Sequence, residues 1–493
     1  MIDKPHQPKD EDQSSVLEGK SVSRREFLKI AGIAGATVGV GAGLGGLVAA
    51  CGGTTTTTAA PTTAAPGSTT TSTAAAGSTT TASAGPVQGR EVKIGAVSPV
   101  TGALAAFGGT EAWSAKLTAE TLGAGIVLGD GQLHKITIIT KDSQSDTNRA
   151  AQVAGDLISN DKVDMLVSSG TPDTVNPAAD QAEALGCPFV SCFNPWQAFI
   201  FGRGATVTTE YKWIYGFYFG VDQEVVTESM AYDKLGTNKS IGFLFANDTD
   251  GNVWAQILPP AFEKMGYKVT FPQQYQPMTE DFSSQISAFK KAGVEIVSST
   301  PIPPDLSNFW KQSVQQGLNL KAMFTGKAFV NTTVADAIGP TAEGMMGSSA
   351  FHRNFPYKDE LTGLTATELC DRYEKDTGLE WAQTIGTHAK FTWAIDVLKR
   401  AKNIDDKQTI ADAIRATKMQ LITGNVDFTA PVDMAGVHIT PNVCKQGWAN
   451  TQIVKGANTK PNPSKWGFDQ NIVGADSLPG VEVVDPIALT YGK

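Results

Sequence analysis

The chain predicts an α/β fold of two lobes, each a doubly wound parallel sheet covered by helices. Short β-branched runs alternate with helical stretches through short loops, the pattern of parallel strands joined by crossover helices. The alternation begins near Arg90 and restarts near Trp213. Length agrees: setting aside residues 1–50 as an address leaves 493 − 50 = 443. A low-complexity tract takes roughly 35 more, and the remaining ~400 are too many for one core.

The first element is the address. Residues 1–20 are polar and charged, Ser23-Arg24-Arg25-Glu26-Phe27-Leu28-Lys29 follows, and Ile30 to Ala50 is uncharged and rich in Gly and Ala. A basic head before a moderately apolar run is an export signal. Arg24 and Arg25 resemble a twin-arginine signal, and Val48-Ala49-Ala50-Cys51 resembles a bacterial lipobox. Together they imply that residues 1–50 are removed and that Cys51 is acylated, holding the protein at the outer face of the cytoplasmic membrane. A single membrane anchor is the alternative, but the run is weakly apolar for a span. Gly41-Ala42-Gly43-Leu44-Gly45-Gly46 fits a dinucleotide-binding pattern, yet no strand precedes it and it lies in the segment to be removed.

Residues 51–89 read as a tether. From 54 to 85 they are almost entirely Thr, Ala, Ser, Gly and Pro, with no large apolar side chain to bury. Such a chain reaches on the order of 30 Å, and its composition permits O-glycosylation.

The globular part follows in order. Strands are expected at Glu91–Val97, Lys135–Lys141, Val163–Val167 and Pro188–Ser191, with helices reaching Ala119 and covering Ala150–Ser159 and Asn176–Leu185. After the restart, a helix covers Gln223–Leu235 and another runs to Met265. Further helices cover Phe282–Lys291 and Asp305–Gln316. Strands are expected at Ser240–Phe245, Tyr267–Phe271, Ile296–Thr300 and Ala322–Thr325. Ligands of open parallel sheets bind beyond the strand ends, so the two sets of loops should face each other across a cleft.

The segments Ile94–Gly108, Asp142-Ser143-Gln144-Ser145-Asp146, Ala182–Pro188, Ala342-Glu343-Gly344-Met345 and Thr423–Phe428 fall in one order over some 350 residues. In that order they resemble the leucine/isoleucine/valine-type (type I) periplasmic binding proteins of ABC importers. The resemblance implies two lobes joined by three crossovers and closing on a small solute. Lobe I would be 90–211 plus 350–445. Lobe II would be 212–349 plus 446–493, its end a Pro/Asn/Gly-rich extension beyond about Asn458. It also implies a monomer whose partners are a small-molecule ligand, ABC permease subunits and, through the lipid, a membrane surface. A receptor domain of the same fold that senses without transport is the alternative.

Candidate chemistry is sparse, and no enzyme is expected. There is no G-x-S-x-G and no phosphate-binding Gly loop. The five histidines (6, 134, 352, 388, 438) are scattered. Asp248-Thr249-Asp250-Gly251-Asn252 resembles part of a calcium loop, but its glycine is fourth rather than sixth and Pro259 stands at position twelve, so it reads as a strand-end turn. Neither metal nor cofactor is expected. Five extended residues separate Cys187 from Cys192 by roughly 16 Å, too far for a bridge; a bridge between Cys370 and Cys444 stays open. With a formal net charge of −9 and no basic cluster, nucleic acid is an unsuitable partner.

Binding residues rest on loops. Thr171 and Thr174 open a helix, where hydroxyls beside free N–H groups suit a carboxylate or simply cap the helix. By the resemblance, Phe107 is the aromatic over the ligand side chain, and Asn194 and Trp196 lie on a further contact loop. The second lobe departs from the family: Asp250 stands where a loop aromatic is usual, Pro301-Ile302-Pro303-Pro304 lacks the usual tyrosine, and Lys327 falls where an acid pairs with an amino-acid ammonium. Lys327 should repel an ammonium and attract an anion, unless Asp250 takes the ammonium instead. The expected solute is therefore a small carboxylate, amide or aromatic-bearing molecule, ahead of an ordinary amino acid.

Overall fold

The computed structural model describes residues 85–489 apart from 331, 431, 435–436 and 457–463. Arg24, Arg25, Cys51, the glycine pattern at 41–46 and most of the tether lie outside the described residues.

The first sheet is six-stranded and wholly parallel. Its strands are β1 (Val92–Ser98), β2 (Ile136–Asp142), β3 (Met165–Ser169), β4 (Phe189–Cys192), β5 (Ile214–Tyr218) and, from far down the chain, one at Val443–Lys445. Every residue of β3 is buried, as expected of a parallel strand covered on both faces. The helices that cover the sheet follow one-sided patterns. Thr147–Ser159 buries Ala150, Val153, Ala154, Leu157 and Ile158, and Asp146 caps it by accepting the Arg149 N–H at 2.7 Å. Burying one such Val or Leu contributes about 1.5–3 kcal/mol relative to leaving it exposed.

The second sheet has seven strands. Five are parallel: β6 (Ser240–Leu244), β7 (Lys268–Thr270), β8 (Ile296–Ser299), β9 (Ala322–Phe324) and β10 (Met346–Ser349). With β11 for Val443–Lys445, the remaining two are β12 (Trp448–Lys455) and β13 (Phe468–Asp476), which add an antiparallel pair at one edge. The chain thus passes between the sheets three times, after β5, after β10 and between β11 and β12. Two lobes built on largely parallel sheets are thus joined by three crossovers, as the sequence resemblance implies.

Two details differ from the expected boundaries. Ile214–Tyr218 pairs with β4 and Val443–Lys445 in the first sheet, so that sheet extends past Trp213. The C-terminal extension contains a nine-residue strand, and its tail runs back along the lobe, where the Leu489 N–H donates to the Lys321 carbonyl at 2.9 Å. Cys187, Cys192 and Cys444 are buried thiols. Cys444 Sγ accepts the Asp427 N–H at 3.2 Å, and Cys444 and Cys370 are not bridged to each other. Among the described residues no helix is long and apolar enough to cross a membrane.

The hinge is tight. Gln446 N–H donates to the Tyr218 carbonyl at 2.8 Å, and Gln223 Nε2 donates to the Gln446 carbonyl at 2.9 Å. A Cβ on Gly447 would stand 2.3 Å from the Ser477 carbonyl oxygen, a backbone atom that cannot step aside. Gly447→Ala is therefore expected to cost about 1–3 kcal/mol, read as a lower urea midpoint with an unchanged slope.

Candidate functional site

Each lobe supplies its part of the site from the C-terminal ends of its parallel strands. After β3, Gly170 turns the chain at φ 140°, and Thr171 stands at the N-cap of the helix Pro172–Leu185, with Pro at the first turn where no N–H is needed. After β6, Asp248 caps the helix Thr249–Lys264 by accepting the Gly251 N–H at 2.7 Å. That cap fixes the first turn and places Asp250 at the cleft. The segment read as a partial calcium loop is thus a helix start. Lys327 sits in a short 3-10 turn after β9.

Between the lobes lies a cavity, partly open to solvent. Phe107, Thr171, Phe193 and Gln383 line it from the first lobe, and Asp250, Trp254, Thr300, Lys327 and Ser348 from the second. Its back wall is the hinge itself: Tyr218 and Phe219 come from the first crossover and Trp448 from the third. Phe219 stacks on Trp448 with ring centroids 3.5 Å apart and planes 13° from parallel.

The lobes meet over this space. Leu104 and Phe107 pack with Ile302 and Val330 of the opposite lobe. Thr249 Oγ1 donates to Asp173 Oδ1 at 2.5 Å, and Gln383 Nε2 donates to the carbonyls of Phe329 at 2.8 Å and Ser348 at 3.0 Å.

The floor carries the charge. Lys327 Nζ is 2.7 Å from Asp250 Oδ2 and 3.1 Å from Asp248 Oδ2. Burial pulls the ammonium down, but Asp248, Asp250 and Asp173 outweigh it and hold Lys327 above its ordinary range. Lys327 is therefore committed to two carboxylates rather than offered to an anion. Burial pushes the Asp250 carboxyl up to about 6, with Lys327 opposing and Asp248 adding to the rise. The Glu224 carboxyl, on the helix Val221–Lys234, is pushed by burial up to about 7. The hydroxyl of Ser348, at 2.6 Å, and the Trp254 indole N–H pull it back, and Asp250 adds to the rise.

Four buried polar atoms of lining residues have no hydrogen-bond partner among the described residues: Thr171 Oγ1, Thr300 Oγ1, Asp250 Oδ1 and Trp448 Nε1. Each such atom costs about 1–3 kcal/mol, and a bound polar solute would satisfy them.

Of the residues singled out in the sequence, Phe107, Thr171, Asp250 and Lys327 line this one cavity. Thr174 stays in the helix turn, its hydroxyl on the Thr171 carbonyl at 3.3 Å. Asn194 donates to Asn176 Oδ1 at 2.9 Å, and Trp196 is buried in the first lobe's core with Phe199 and Ile200; neither lines the cavity. The sequence reading missed Glu224, Tyr218, Phe219, Trp254 and Trp448. Trp254 had a signal, since it follows Asp250 by four on a helix and so shares its face.

The sequence pattern of the family described as periplasmic binding protein matches residues 91–439. A curated relative, the leucine-, isoleucine-, valine-, threonine- and alanine-binding protein of Pseudomonas aeruginosa, is 25% identical over 354 residues, covering 71% of this chain and 88% of its own. A leucine-binding protein structure from Thermotoga maritima is 19% identical with TM-score 0.63, covering 78% of this chain and 98% of its own. A solute-binding protein structure from Rhodopseudomonas palustris, in complex with 3,4-dihydroxybenzoic acid, is 17% identical with TM-score 0.62, covering 80% and 99%. At these identities the two structures speak for the fold.

The Glu224 shift makes stability depend on pH. An acid held above its ordinary value keeps its proton in the fold after the unfolded chain has lost it, so stability falls as pH rises from 4.5 to about 7. Glu224→Gln cannot ionise. Its unfolding free energy relative to wild type should rise by ~1–3 kcal/mol between about pH 5 and about pH 8 in urea titrations. A pH-independent difference would contradict this account of Glu224.

Proposed function

The chain belongs to the periplasmic binding protein family, and from that premise we propose that it is the solute-capturing component of an ABC importer. It takes a small organic solute between its lobes, closes about the three-crossover hinge, and presents the loaded form to the permease. One observation carries this reading: a cavity shared by both lobes, walled by the hinge strands, in which buried polar atoms from both sides lack partners. A solute that meets Thr171 on one lobe and Asp250 and Thr300 on the other has affinity for the closed form that the open form cannot match.

The range of solutes follows from the lining and is consistent with the relatives. Leucine and similar amino acids are bound by the Pseudomonas relative by name, and an aromatic acid sits in the Rhodopseudomonas structure. The six aromatic side chains here, Phe107, Phe193, Tyr218, Phe219, Trp254 and Trp448, favour an aromatic or branched body. The expected attraction of Lys327 for an anion does not carry over, since Asp248 and Asp250 hold that ammonium.

The segment before the fold supports export and anchoring. Arg24 and Arg25 belong to a twin-arginine signal, Cys51 carries the lipid, and residues 51–89 link it to the fold.

Mass spectrometry of natively purified protein is expected to recover a small solute. Added back at about 100 times its Kd, it should stabilise the protein by about 2.7 kcal/mol, seen as a raised Tm. Trp448→Ala should abolish that rise while leaving a folded protein by circular dichroism. Cells lacking the chain should lose uptake of the same solute. Binding with undiminished uptake would transfer the protein to a sensing role, and no stabilising solute at all would sink the reading.

A further inference from the structure

We infer that the cavity selects a solute whose head group is a cationic nitrogen on an aromatic or apolar body, with Asp250 and Glu224 as the groups that receive it. The inference rests on the solute-capturing reading above and narrows it.

The charges around the floor do not balance. Asp250 lies within electrostatic reach of Asp248 beside it, of Asp173 from the first lobe and of Glu224 on a second helix, and Asp305 on a third helix lies within reach of Asp248. Against them stands one ammonium, Lys327, already shared between Asp248 and Asp250. The nearby cations of the hinge and first lobe are committed too. Lys390, fully buried beneath the Thr171 loop, is 2.6 Å from Glu111 Oε2 and donates to Ser169 Oγ at 3.0 Å, and Lys445 pairs with Asp222. An entering carboxylate would find hydroxyl and indole donors but, among the described residues, no lining cation other than Lys327, which two carboxylates already hold.

A cationic nitrogen finds the reverse. Asp250 is 4% exposed, lines the cavity and turns one oxygen to Lys327, while Oδ1 has no donor. An N–H⁺ donor completes that carboxylate with a charge-assisted hydrogen bond. Glu224 also lines the cavity; its two oxygens receive neutral donors, Ser348 and Trp254, and a cationic nitrogen beside it would favour its ionised form. Tyr218, Phe219, Trp254 and Trp448 surround the same space, and aromatic faces attract cations as well as apolar bodies.

The position is informative. Where the family resemblance leads one to expect an acid, this chain has Lys327, and the uncompensated acceptor lies instead on the helix that opens at Asp248.

The test uses matched sets that share a body and differ in the head group: 2-phenylethylamine, phenylalanine, phenylacetamide and phenylacetate, with the isoamylamine, leucine, isocaproamide and isocaproate set beside them. Thermal shift finds the binders and calorimetry ranks them. The amines or amino acids are expected to bind, each more tightly than its carboxylate. Asp250→Asn should weaken the nitrogen cations by about tenfold or more, the loss of one charge-assisted hydrogen bond, and narrow the gap to the carboxylate. Lys327 keeps Asp248 in that variant, so its unliganded Tm checks the fold. A carboxylate or amide that outbinds its matched amine overturns the charge selection but leaves solute capture standing. Nitrogen cations that bind wild type and Asp250→Asn equally overturn the assignment of the head group. Silence from both sets overturns the selection as well, and the solute recovered from native protein then judges the capture reading on its own.

Discussion

Lys327 is largely shielded at the cleft floor, and an ammonium so short of water must have carboxylate partners or give up its charge. Its partners are Asp248 and Asp250, and their placement depends on local chain geometry. Asp248 caps the helix that opens there, so the cap that starts the helix also fixes the acid two residues on. Supplying two carboxylates to one ammonium leaves the floor with an excess of negative charge, to which Glu224 adds only when it ionises. The charge of the cleft floor is thus set by how a helix begins and how one lysine is neutralised.

The alternation of strands and helices was legible because each element has a local cause. The strand Glu91–Val97 and the helix Ala150–Ser159 were read within a few residues of their observed bounds, from β-branched runs and one-sided apolar spacing. Ile214–Tyr218 was not read as a strand of the first sheet, because its neighbours lie at Phe189 and Val443 and nothing local names them. The edge strands of the second sheet were lost for the same reason, the pairing of Trp448 with Asp476 being invisible in either segment alone.

The site was half legible. Phe107, Thr171, Asp250 and Lys327 stood on loops that the alternation itself marks as strand ends, and the structure brings them to one cavity. The sign of Lys327's charge was readable, but its neutralisation by residues 77 and 79 positions away was not. Glu224 lay hidden because an acid on a helix ordinarily faces water, and only burial against Trp254 and Ser348 gives it another role. Thr174, Asn194 and Trp196 show the converse limit: a polar or aromatic residue near a cleft loop is as easily spent on its own lobe.

The stacked pair Phe219 and Trp448 belongs to two crossovers and to the cavity wall at once. Affinity in a closing receptor is the intrinsic grip on the solute reduced by the fraction of molecules already able to close. Under the proposed closing mechanism the same two rings contribute to both factors. A substitution that reshapes the wall for a new solute also resets how readily the molecule shuts. Related proteins that drift toward different solutes through this pair would therefore change their resting conformational balance at the same step, whereas drift at Thr171 or Asp250 leaves that balance to the hinge.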